Sequence, residues 1–445
     1  MDGLLLKDLK KSFYIDNVIF IWWMNIACES MWNLAGAQVL PSLNNKRSAG
    51  VINRTEQLCL LLADEKDIVI QREMPSDIIC ENLTNIGIKI PNILIPEISN
   101  ITKQESISEI ILNDNKLIEK IRSLNKQINQ KVILIPYAVT SLEEEISLRT
   151  GCELFGASSE ITSWVNSKIN SRLLAEELDL PVTYGYICHT IDDTESAIRK
   201  LKSIPTTKKI VIKEAYGASG KGFYIIDSEK SLQYILNVLE RENNKDKRVS
   251  LIIEKWYDTR FDINYQLFID REGSIHYIQP KKQYVKNGIY SGSEFFGENE
   301  SKEIFEYFKK CAFRIGKKLW EKGYSGIASI DAIVTEDEGI FPIIEINGRF
   351  TLSTYISFIH EKVGKEAFVK SRYFSINPSV TIKEIWLKIN KYCFISGKKY
   401  GVIIYSFAGG DSGFISGRLF ILFIAYNTDD LLILENTIEE LIYSM

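Results

Sequence analysis

The first third of the chain alternates short apolar runs with amphipathic segments. Alternating strands and helices are typical of an α/β domain with a parallel sheet, so we expect such a domain over residues 1–160. No glycine fingerprint follows the first apolar run, VIFIWW, and a dinucleotide site is therefore unsupported there. The pattern predicts strands at 18–23, 67–71, 92–97 and 131–137, and helices at 55–65 and 107–128.

Beyond residue 160 the pattern changes to antiparallel strands between longer helices. We expect three further domains at 161–250, 251–378 and 379–445, the last a small α+β unit, so the predicted fold class is α/β and α+β. A helix from residue 161 ends before Pro181. The pattern also predicts helices at 192–204, 228–242 and 301–323, strands at 249–256, 261–270 and 273–285, a strand pair within 325–348, and two strands and a helix after residue 400.

A glycine-rich stretch, KEAYGASGKG at 213–222, lies between two apolar runs. A P-loop needs G-x-x-x-x-G-K-[ST] before a helix, whereas here a glycine follows Lys221 and the strand-like FYIID comes next. We therefore place the loop at a hairpin tip. Backbone N–H groups around glycines can cradle phosphate, and such a tip can close as a lid. The alternative is a flexible turn with basic residues.

Three oxygen-bearing side chains are predicted to meet on a strand pair. Glu345 and Asn347 are two residues apart in FPIIEINGRF, so both point to one face of a strand. Asp331 lies on the partner strand of the predicted hairpin. Hard oxygen ligands of this kind suit Mg²⁺. The alternative is a solvent-facing acidic strand, but the flanking residues are nearly all apolar. Arg349 follows closely enough to serve a second anion.

Composition excludes several classes of protein. The chain has 445 residues, of which 25% are charged, and a net charge of −4, so we do not expect nucleic acid as a partner. Seven scattered cysteines without a C-x-x-C motif predict reduced thiols in a cytoplasmic protein. Three isolated histidines leave a His metal site or a catalytic triad poorly supported. The apolar runs at 17–27 and 419–426 are shorter than the ~20 residues of a membrane span, so no membrane is expected as a partner.

Together, these motifs resemble the ATP-grasp superfamily of carboxylate–amine and carboxylate–thiol ligases, over roughly residues 160–375. The matching parts occur in the family's order. They are Lys168 in NSKINSRLL, Lys213 in IVIK, the loop YGASGKG, the segment EKWYDTRFDINYQ, Asp331 in SIDAIV, and Glu345-x-Asn347-x-Arg349 in EINGRF. Region 1–160 is similar to the α/β domain that precedes this fold in the superfamily.

The resemblance implies that ATP is held between two lobes, 161–250 with the lid and 251–378 with the Mg²⁺ site. Lys168 and Lys213 would contact the α- and β-phosphates, and the loop would cover the phosphates through Gly217, Ser219, Gly220, Lys221 and Gly222. Glu254, Lys255 and Trp256 would meet the adenine and Asp262 the ribose, whereas Asp331, Glu345 and Asn347 would hold Mg²⁺, with Mn²⁺ as a substitute. Lys213 and Ser219 would act on the transferred phosphoryl group and Arg349 on the oxyanion. The alternatives are an exposed helix lysine for Lys168 and a core aromatic for Trp256.

The chain departs from the family at two positions. Asp331 stands where relatives often carry a glutamate, and Ser329 stands where some carry an arginine that steadies the reacting anion. Arg349 is our candidate for that second task.

The implied activity is activation of a carboxylate, from an amino acid or peptide, as an acyl phosphate, followed by amide formation with an amine. Alternatives are loading of an amino acid onto a carrier-protein thiol in antibiotic biosynthesis and a non-catalytic nucleotide-binding regulator. The lysines and metal ligands argue against the regulator. The stretch KKQYVKNGIYSGSEFFG (281–297) is either a substrate-binding segment or an ordinary surface loop. Region 379–445 either completes the second-substrate pocket or forms a homodimer contact.

Overall fold

The computed structural model describes residues 17–26, 28–32, 40, 54–97, 105–127, 131–217, 222–243, 249–286, 289–295, 302–337, 339–364, 366–410 and 416–445. Within them, the strands form sheets of five, four and eight strands, which follow one another along the chain. The first sheet is parallel and the other two are antiparallel, so the predicted α/β and α+β class is confirmed.

The first sheet has the strand order β3-β2-β1-β4-β5. Strand β1 is apolar on both faces and almost wholly buried, as expected for a parallel sheet between two helical layers. The elements of this region are β1 Val18–Trp23, α1 Glu29–Trp32, β2 Ile68–Ile70, α2 Asp77–Thr84, β3 Asn92–Leu94, α3 Ile107–Asn113, α4 Asn115–Asn125, β4 Lys131–Pro136, α5 Ser141–Thr150 and β5 Glu153–Leu154.

The second sheet has the strand order β6-β9-β7-β8. Strands β7 and β8 are antiparallel neighbours joined by the glycine-rich stretch, so the predicted hairpin is confirmed. Two amphipathic helices, α8 and α9, cover one face and bury a small separate core. The elements are α6 Ser159–Asn166, α7 Lys168–Glu177, β6 Gly185–Cys188, α8 Ile191–Lys202, β7 Ile210–Glu214, β8 Phe223–Ile226, α9 Glu229–Asn243 and β9 Leu251–Lys255.

The third sheet has the strand order β14-β13-β10-β11-β12-β15-β17-β16. Its last two strands come from the segment predicted as a C-terminal domain, and the boundaries of the four predicted domains remain predictions. The elements are β10 Thr259–Ile269, β11 Ile275–Lys286, β12 Ile289–Phe295, α10 Lys302–Glu321, β13 Gly326–Thr335, β14 Ile340–Asn347, α11 Leu352–Tyr355, α12 His360–Val363, β15 Phe368–Ile376, α13 Ile382–Ile389, β16 Tyr400–Ala408, β17 Gly417–Ala425 and α14 Thr428–Tyr443.

The two faces of this sheet differ in polarity. On one face, Ile263, Tyr265 and Leu267 of β10 pack in a core with the apolar side of α10. Alternate residues of a strand point to opposite faces, so Asp262, Asn264 and Gln266 of the same strand lie on the other one. The polar face therefore stands opposite the helix-covered face, and the candidate site is built on it.

Several predicted elements were wrong in detail. The expected helix at 55–65 is a short 3-10 helix, Glu56–Leu61, whose Gln57 side chain accepts a hydrogen bond from the backbone of Phe407. The helix expected at 107–128 is two helices, because extended Asp114 ends α3 and caps α4. Likewise, extended Ser167 divides the helix expected from residue 161 into α6 and α7. The stretch 281–297 is no loop, because its described part belongs mainly to paired strands β11 and β12.

The remaining gross expectations concern cysteines and membrane spans. All seven cysteines lie in the described part of the chain and are free, and six of them are buried. No helix among the described residues combines the length and hydropathy needed to cross a bilayer. The apolar run at 419–426 falls mostly in β17, which pairs with strands on both sides.

We predict that Gly292→Ala destabilises the third sheet where its two halves join. Strands β12 and β15 share three register pairs, and a Cβ on Gly292 would lie 2.0 Å from the Ser371 carbonyl oxygen. We expect the free energy of unfolding in urea to fall by roughly 2–4 kcal/mol. Ser375→Ala, at an exposed position of β15, is the control and should change it by less than about 0.5 kcal/mol. Equal effects of the two substitutions would contradict the prediction.

Candidate active site

The acidic strand pair has the predicted geometry. In the β13–β14 hairpin, Asp331 lies directly opposite Glu345, and Ser329 lies opposite Asn347. Directly opposed residues of antiparallel strands point to the same face, so the two carboxylates lie side by side. The predicted pairing of Asp331 with the strand of Glu345 is confirmed.

Asp331 is held by amide donors and one carboxylate neighbour. Asn264 Nδ2 and Gln283 Nε2 donate to its Oδ1 at 2.8 and 3.1 Å, and Asn347 Nδ2 donates to its Oδ2 at 3.2 Å. Burial, and then the adjacent Glu345 carboxylate, raise the pKa of Asp331 to about 7. This carboxyl group is therefore protonated more readily than an ordinary aspartate.

Glu345 is the ionised member of the pair. Its Oε2 lies 2.8 Å from Lys168 Nζ. Burial would raise the pKa of Glu345, but the Lys168 ammonium and hydrogen bonding to Asp331 outweigh it and lower that pKa to about 2. The Lys168 ammonium and, to a smaller extent, the Arg349 guanidinium thus favour the ionised form of Glu345.

The raised pKa of Asp331 fits the predicted Mg²⁺ site. The two carboxylates provide hard oxygen ligands, and a divalent cation would favour the ionised form of Asp331. The Asn347 amide turns its Nδ2 towards the carboxylates and its Oδ1 towards Arg349, so it would have to turn over to act as a third oxygen ligand. Among the described residues no group of three or more His, Cys, Asp or Glu side chains forms a metal site, so the candidate depends on this mixed acid–amide set. When bound, the cation would offset negative charge on the nucleotide phosphates.

Lys168 connects the acidic strands to the root of the glycine hairpin. It occupies the first turn of α7, after the capping residue Ser167. Its backbone N–H donates to the Ala215 carbonyl at 2.9 Å, and its Nζ donates to the Gly217 carbonyl at 2.7 Å. The break between α6 and α7 therefore directs this lysine into the site, which excludes the alternative of an exposed helix lysine.

Lys213 and Glu254 form part of a buried charge cluster beside the hairpin. Glu254 is 5% exposed, and its carboxylate lies 2.7 Å from Lys213 Nζ and 2.9 Å from Arg172 Nη1. Thr183 Oγ1 donates to the same carboxylate at 2.6 Å. Burial acts to raise the pKa of Glu254, but Lys213 and the other partners lower it. Glu254 thus orients Lys213, in addition to lying where the adenine contact is predicted.

The predicted lid is described only at its two ends. Gly217 and Gly222 flank the tip, whereas Ser219, Gly220 and Lys221 lie outside the described residues. Gly222 has φ +72°, and a Cβ there would lie 3.0 Å from the carbonyl oxygen of Tyr216, so a glycine is required. Its own carbonyl accepts a hydrogen bond from Glu214 N–H at 2.7 Å.

The predicted adenine and ribose contacts have mixed surroundings. The backbone N–H groups of Lys255 and Trp256 donate to the carbonyls of Tyr184 and Lys209, at 2.9 and 3.0 Å, so both amides are already used within the protein. Asp262 lies on the polar face of the third sheet and accepts a hydrogen bond from Thr259 Oγ1 at 3.3 Å. Burial raises the pKa of Asp262. The adenine and ribose roles remain predictions.

Arg349 is fixed by the N-terminal region. Its Nη2 donates to Asn347 Oδ1 at 2.9 Å, and its Nη1 donates to the Tyr137 hydroxyl at 2.8 Å. The guanidinium also lies over the Tyr137 ring, at 5.2 Å. Tyr137 directly follows β4, so the parallel sheet contributes to the site.

Sequence reasoning missed four residues that orient the predicted ones. They are Asn264 and Gln283 on Asp331, Arg172 on Glu254, and Tyr137 on Arg349. The alternation of Asp262, Asn264 and Gln266 in FDINYQ is the one signal that pointed to a polar sheet face. The contacts of Arg172 and Tyr137 join segments far apart in sequence, and no local pattern indicates them.

A family model described as "L-aspartate--L-methionine ligase, ATP grasp" matches residues 209–347, which contain the hairpin and the acidic strands. The resemblance to the ATP-grasp superfamily is thus confirmed for this part of the chain. A curated relative from Niallia circulans, "[Butirosin acyl-carrier protein]--L-glutamate ligase", is 26% identical over 425 residues, which cover 95% of this chain and 94% of the relative.

Solved structures share the fold of this protein over nearly the whole chain. An ADP complex of N5-carboxyaminoimidazole ribonucleotide synthetase superposes with a TM-score of 0.57 at 14% identity, covering 96% of this chain and 97% of that one. A biotin carboxylase nucleotide complex from Campylobacter jejuni gives a TM-score of 0.59 at 14% identity, with coverages of 94% and 89%. Both matches extend beyond residues 209–347, so the parallel sheet and the C-terminal strands belong to the shared architecture.

We predict that Lys213→Met destabilises the fold by leaving Glu254 with less positive charge around it. The free energy of unfolding in urea at neutral pH should fall by roughly 1–3 kcal/mol. The double variant Lys213→Met/Glu254→Gln should recover part of the loss, because the buried charge is gone and Arg172 keeps Glu176 as a partner at 3.0 Å. A double variant no more stable than Lys213→Met alone would contradict this assignment.

Proposed function

We propose that this ATP-grasp protein is an ATP-dependent, ADP-forming ligase that activates the carboxylate of an acidic amino acid. The observation that carries the proposal is the Asp331–Glu345 pair, which the Lys168 ammonium links to the hairpin root through Glu345 and the Gly217 carbonyl. This arrangement supports binding of Mg²⁺ and a nucleotide triphosphate between the second and third sheets. The substrate class is supported by the names of the matching proteins, which specify L-aspartate and L-glutamate.

The proposed reaction has two steps. A carboxylate oxygen of the substrate attacks the γ-phosphorus of ATP, the bond from phosphorus to the bridging oxygen breaks, and ADP leaves. A nucleophile then attacks the carbonyl carbon of the acyl phosphate, and inorganic phosphate leaves as the amide or thioester forms. Positioning and neutralisation of charge are the main contributions that a protein makes to such transfers.

The described residues have separate tasks in this scheme. Lys213, oriented by Glu254, would neutralise phosphate charge, and Lys168 would hold Glu345 ionised. Arg349, fixed between Asn347 and Tyr137, would stabilise the oxyanion of the second step. A closed hairpin would exclude water, which otherwise hydrolyses an acyl phosphate.

Two acceptors remain for the second step, an amine and a carrier-protein thiol. The carrier is favoured by the relative that aligns with 95% of the chain and is named for an acyl-carrier protein. The amine is favoured by the family model, which is named for a ligase of two amino acids but covers only residues 209–347.

ADP release should depend on both Mg²⁺ and an acidic amino acid. We expect wild-type protein to form ADP with L-glutamate or L-aspartate only when Mg²⁺ is present, measured with a coupled assay. Mass spectrometry of reactions that contain either a second amino acid or a phosphopantetheinyl carrier protein then identifies the acceptor. Bound nucleotide with no ADP formed under any of these conditions would favour the non-catalytic regulator instead.

Glu345→Ala should reduce ADP formation by at least about 100-fold, since it removes a proposed metal ligand and the partner of Lys168. The matched control is Glu336→Ala, an exposed acid in the turn of the same hairpin, which should leave the rate unchanged. Circular dichroism and urea unfolding check that both variants are folded. Undiminished turnover in folded Glu345→Ala protein would remove this residue from the site.

A further inference from the structure

Lys281 is a fully buried lysine on the polar face of the third sheet. It lies in β11, directly opposite Asn264 of β10 on one side and Phe295 of β12 on the other. Its relative exposure is 0%. A lysine is almost never buried completely unless an anion accompanies it, because the ammonium group loses its hydration.

The described surroundings of Lys281 contain no such anion. Its Nζ donates to Ser357 Oγ at 2.8 Å and lies 5.4 Å from the centre of the Phe295 ring. Among the described residues no carboxylate forms an ion pair with it. Desolvation lowers the pKa of Lys281 to about 7, so the group is poised between its neutral and charged forms.

Other polar atoms in the segment that covers Lys281 also lack partners. Within the described part of the chain, the buried Nε2 of His360 and Oγ of Ser353 have no hydrogen-bond partner. The His360 ring packs on Phe295 at 3.9 Å, next to Lys281, and Ser357 Oγ donates to the Ser353 carbonyl. Burial, and then the charge of Lys281, lower the pKa of His360 to about 4. The region thus combines a cation with unused polar groups.

The register relates Lys281 to the acidic pair. One cross-strand row runs from Lys281 through Asn264 and Asp331 to Glu345. Opposed residues share a face, and neighbouring strands are about 4.8 Å apart, so Lys281 lies about 10 Å from Asp331 at the backbone. Because a lysine side chain extends several ångströms, one small molecule bound between them can contact both Lys281 and the Asp331–Glu345 pair.

We propose that Lys281 binds the second, non-reacting carboxylate of a dicarboxylic amino acid whose other carboxylate is activated near Asp331 and Glu345. Ser357, between α11 and α12, and His360, the first residue of α12, border this subsite. This inference rests on the proposed function and assigns substrate selection to a residue outside the phosphate and metal machinery. The substrate carboxylate would be the counter-ion of the buried Lys281 ammonium group, which has none in the described part of the protein.

The test compares L-glutamate with L-glutamine, and L-aspartate with L-asparagine, in wild-type and Lys281→Met protein. Wild-type protein should have a KM for each acid at least about tenfold below that for its amide. In Lys281→Met the KM for the acid should rise roughly 10- to 100-fold and approach that for the amide, because a charge-assisted hydrogen bond is lost. The KM for ATP should stay within about twofold.

Lys282→Met is the matched control, because Lys282 is the next residue of β11 and points to the other face. It should keep the preference for the acid. Lys281→Met should also unfold at a higher urea concentration than wild type, since a buried ammonium without an anion is replaced by an apolar group of similar size. L-glutamate should protect wild type from unfolding more than L-glutamine does, and this difference should vanish in Lys281→Met.

The outcomes separate the inference from the proposed function. The inference about Lys281 fails, while the proposed function stands, in two cases. In the first, wild type forms ADP with an acidic amino acid but does not prefer the acid over its amide. In the second, wild type prefers the acid and Lys281→Met keeps the same preference. A rise in KM for ATP instead would assign Lys281 to a nucleotide phosphate and overturn the carboxylate subsite. If no amino acid supports ADP formation in wild type, the proposed function fails. Should Lys281→Met not fold, equal KM values for acid and amide in wild type would still overturn the inference.

Discussion

The candidate site depends on the ammonium group of Lys168, which contacts two sheets at once. Its 2.8 Å contact to Glu345 belongs to the third sheet, and its 2.7 Å contact to the Gly217 carbonyl belongs to the hairpin of the second. The side chain is 12% exposed, so water screens these contacts little. If the hairpin root moves, Lys168 must lose its contact either to the Gly217 carbonyl or to Glu345, unless Glu345 moves as well. The position of the hairpin is therefore coupled to the charge around the acidic pair.

That coupling could be predicted only in part from the sequence. The hairpin around the glycines and the Asp331–Glu345 strand pair follow from apolar runs and turn residues that are close together in the chain, and both are confirmed. The break at Ser167 was missed, because a serine inside an amphipathic pattern does not by itself show that its side chain caps a new helix. Without that break, the direction of Lys168 could not be known.

The neighbours that tune the site are less predictable still. Arg172 reaches Glu254 across 82 residues, and Arg349 reaches Tyr137 across 212. These contacts depend on how the sheets pack against one another. The periodicity of a single strand carries no information about that packing. For the same reason the choice between a substrate-binding segment and a surface loop at 281–297 could not be made from its Lys, Tyr and Ser residues, and the described part lies mainly in paired strands.

The cross-strand row that runs from Lys281 to Glu345 on the third sheet carries opposite charges at its two ends. Two carboxylates stand at the β13–β14 end, the neutral amide of Asn264 stands in the middle, and the lysine ammonium stands at the β11 end. The acids and the lysine are too far apart to neutralise one another directly, and among the described residues no carboxylate forms an ion pair with the lysine. Under the proposed function, a metal cation would offset the negative charge of the acids and of the nearby reacting carboxylate. The second carboxylate of the substrate would then supply the negative charge that the lysine lacks.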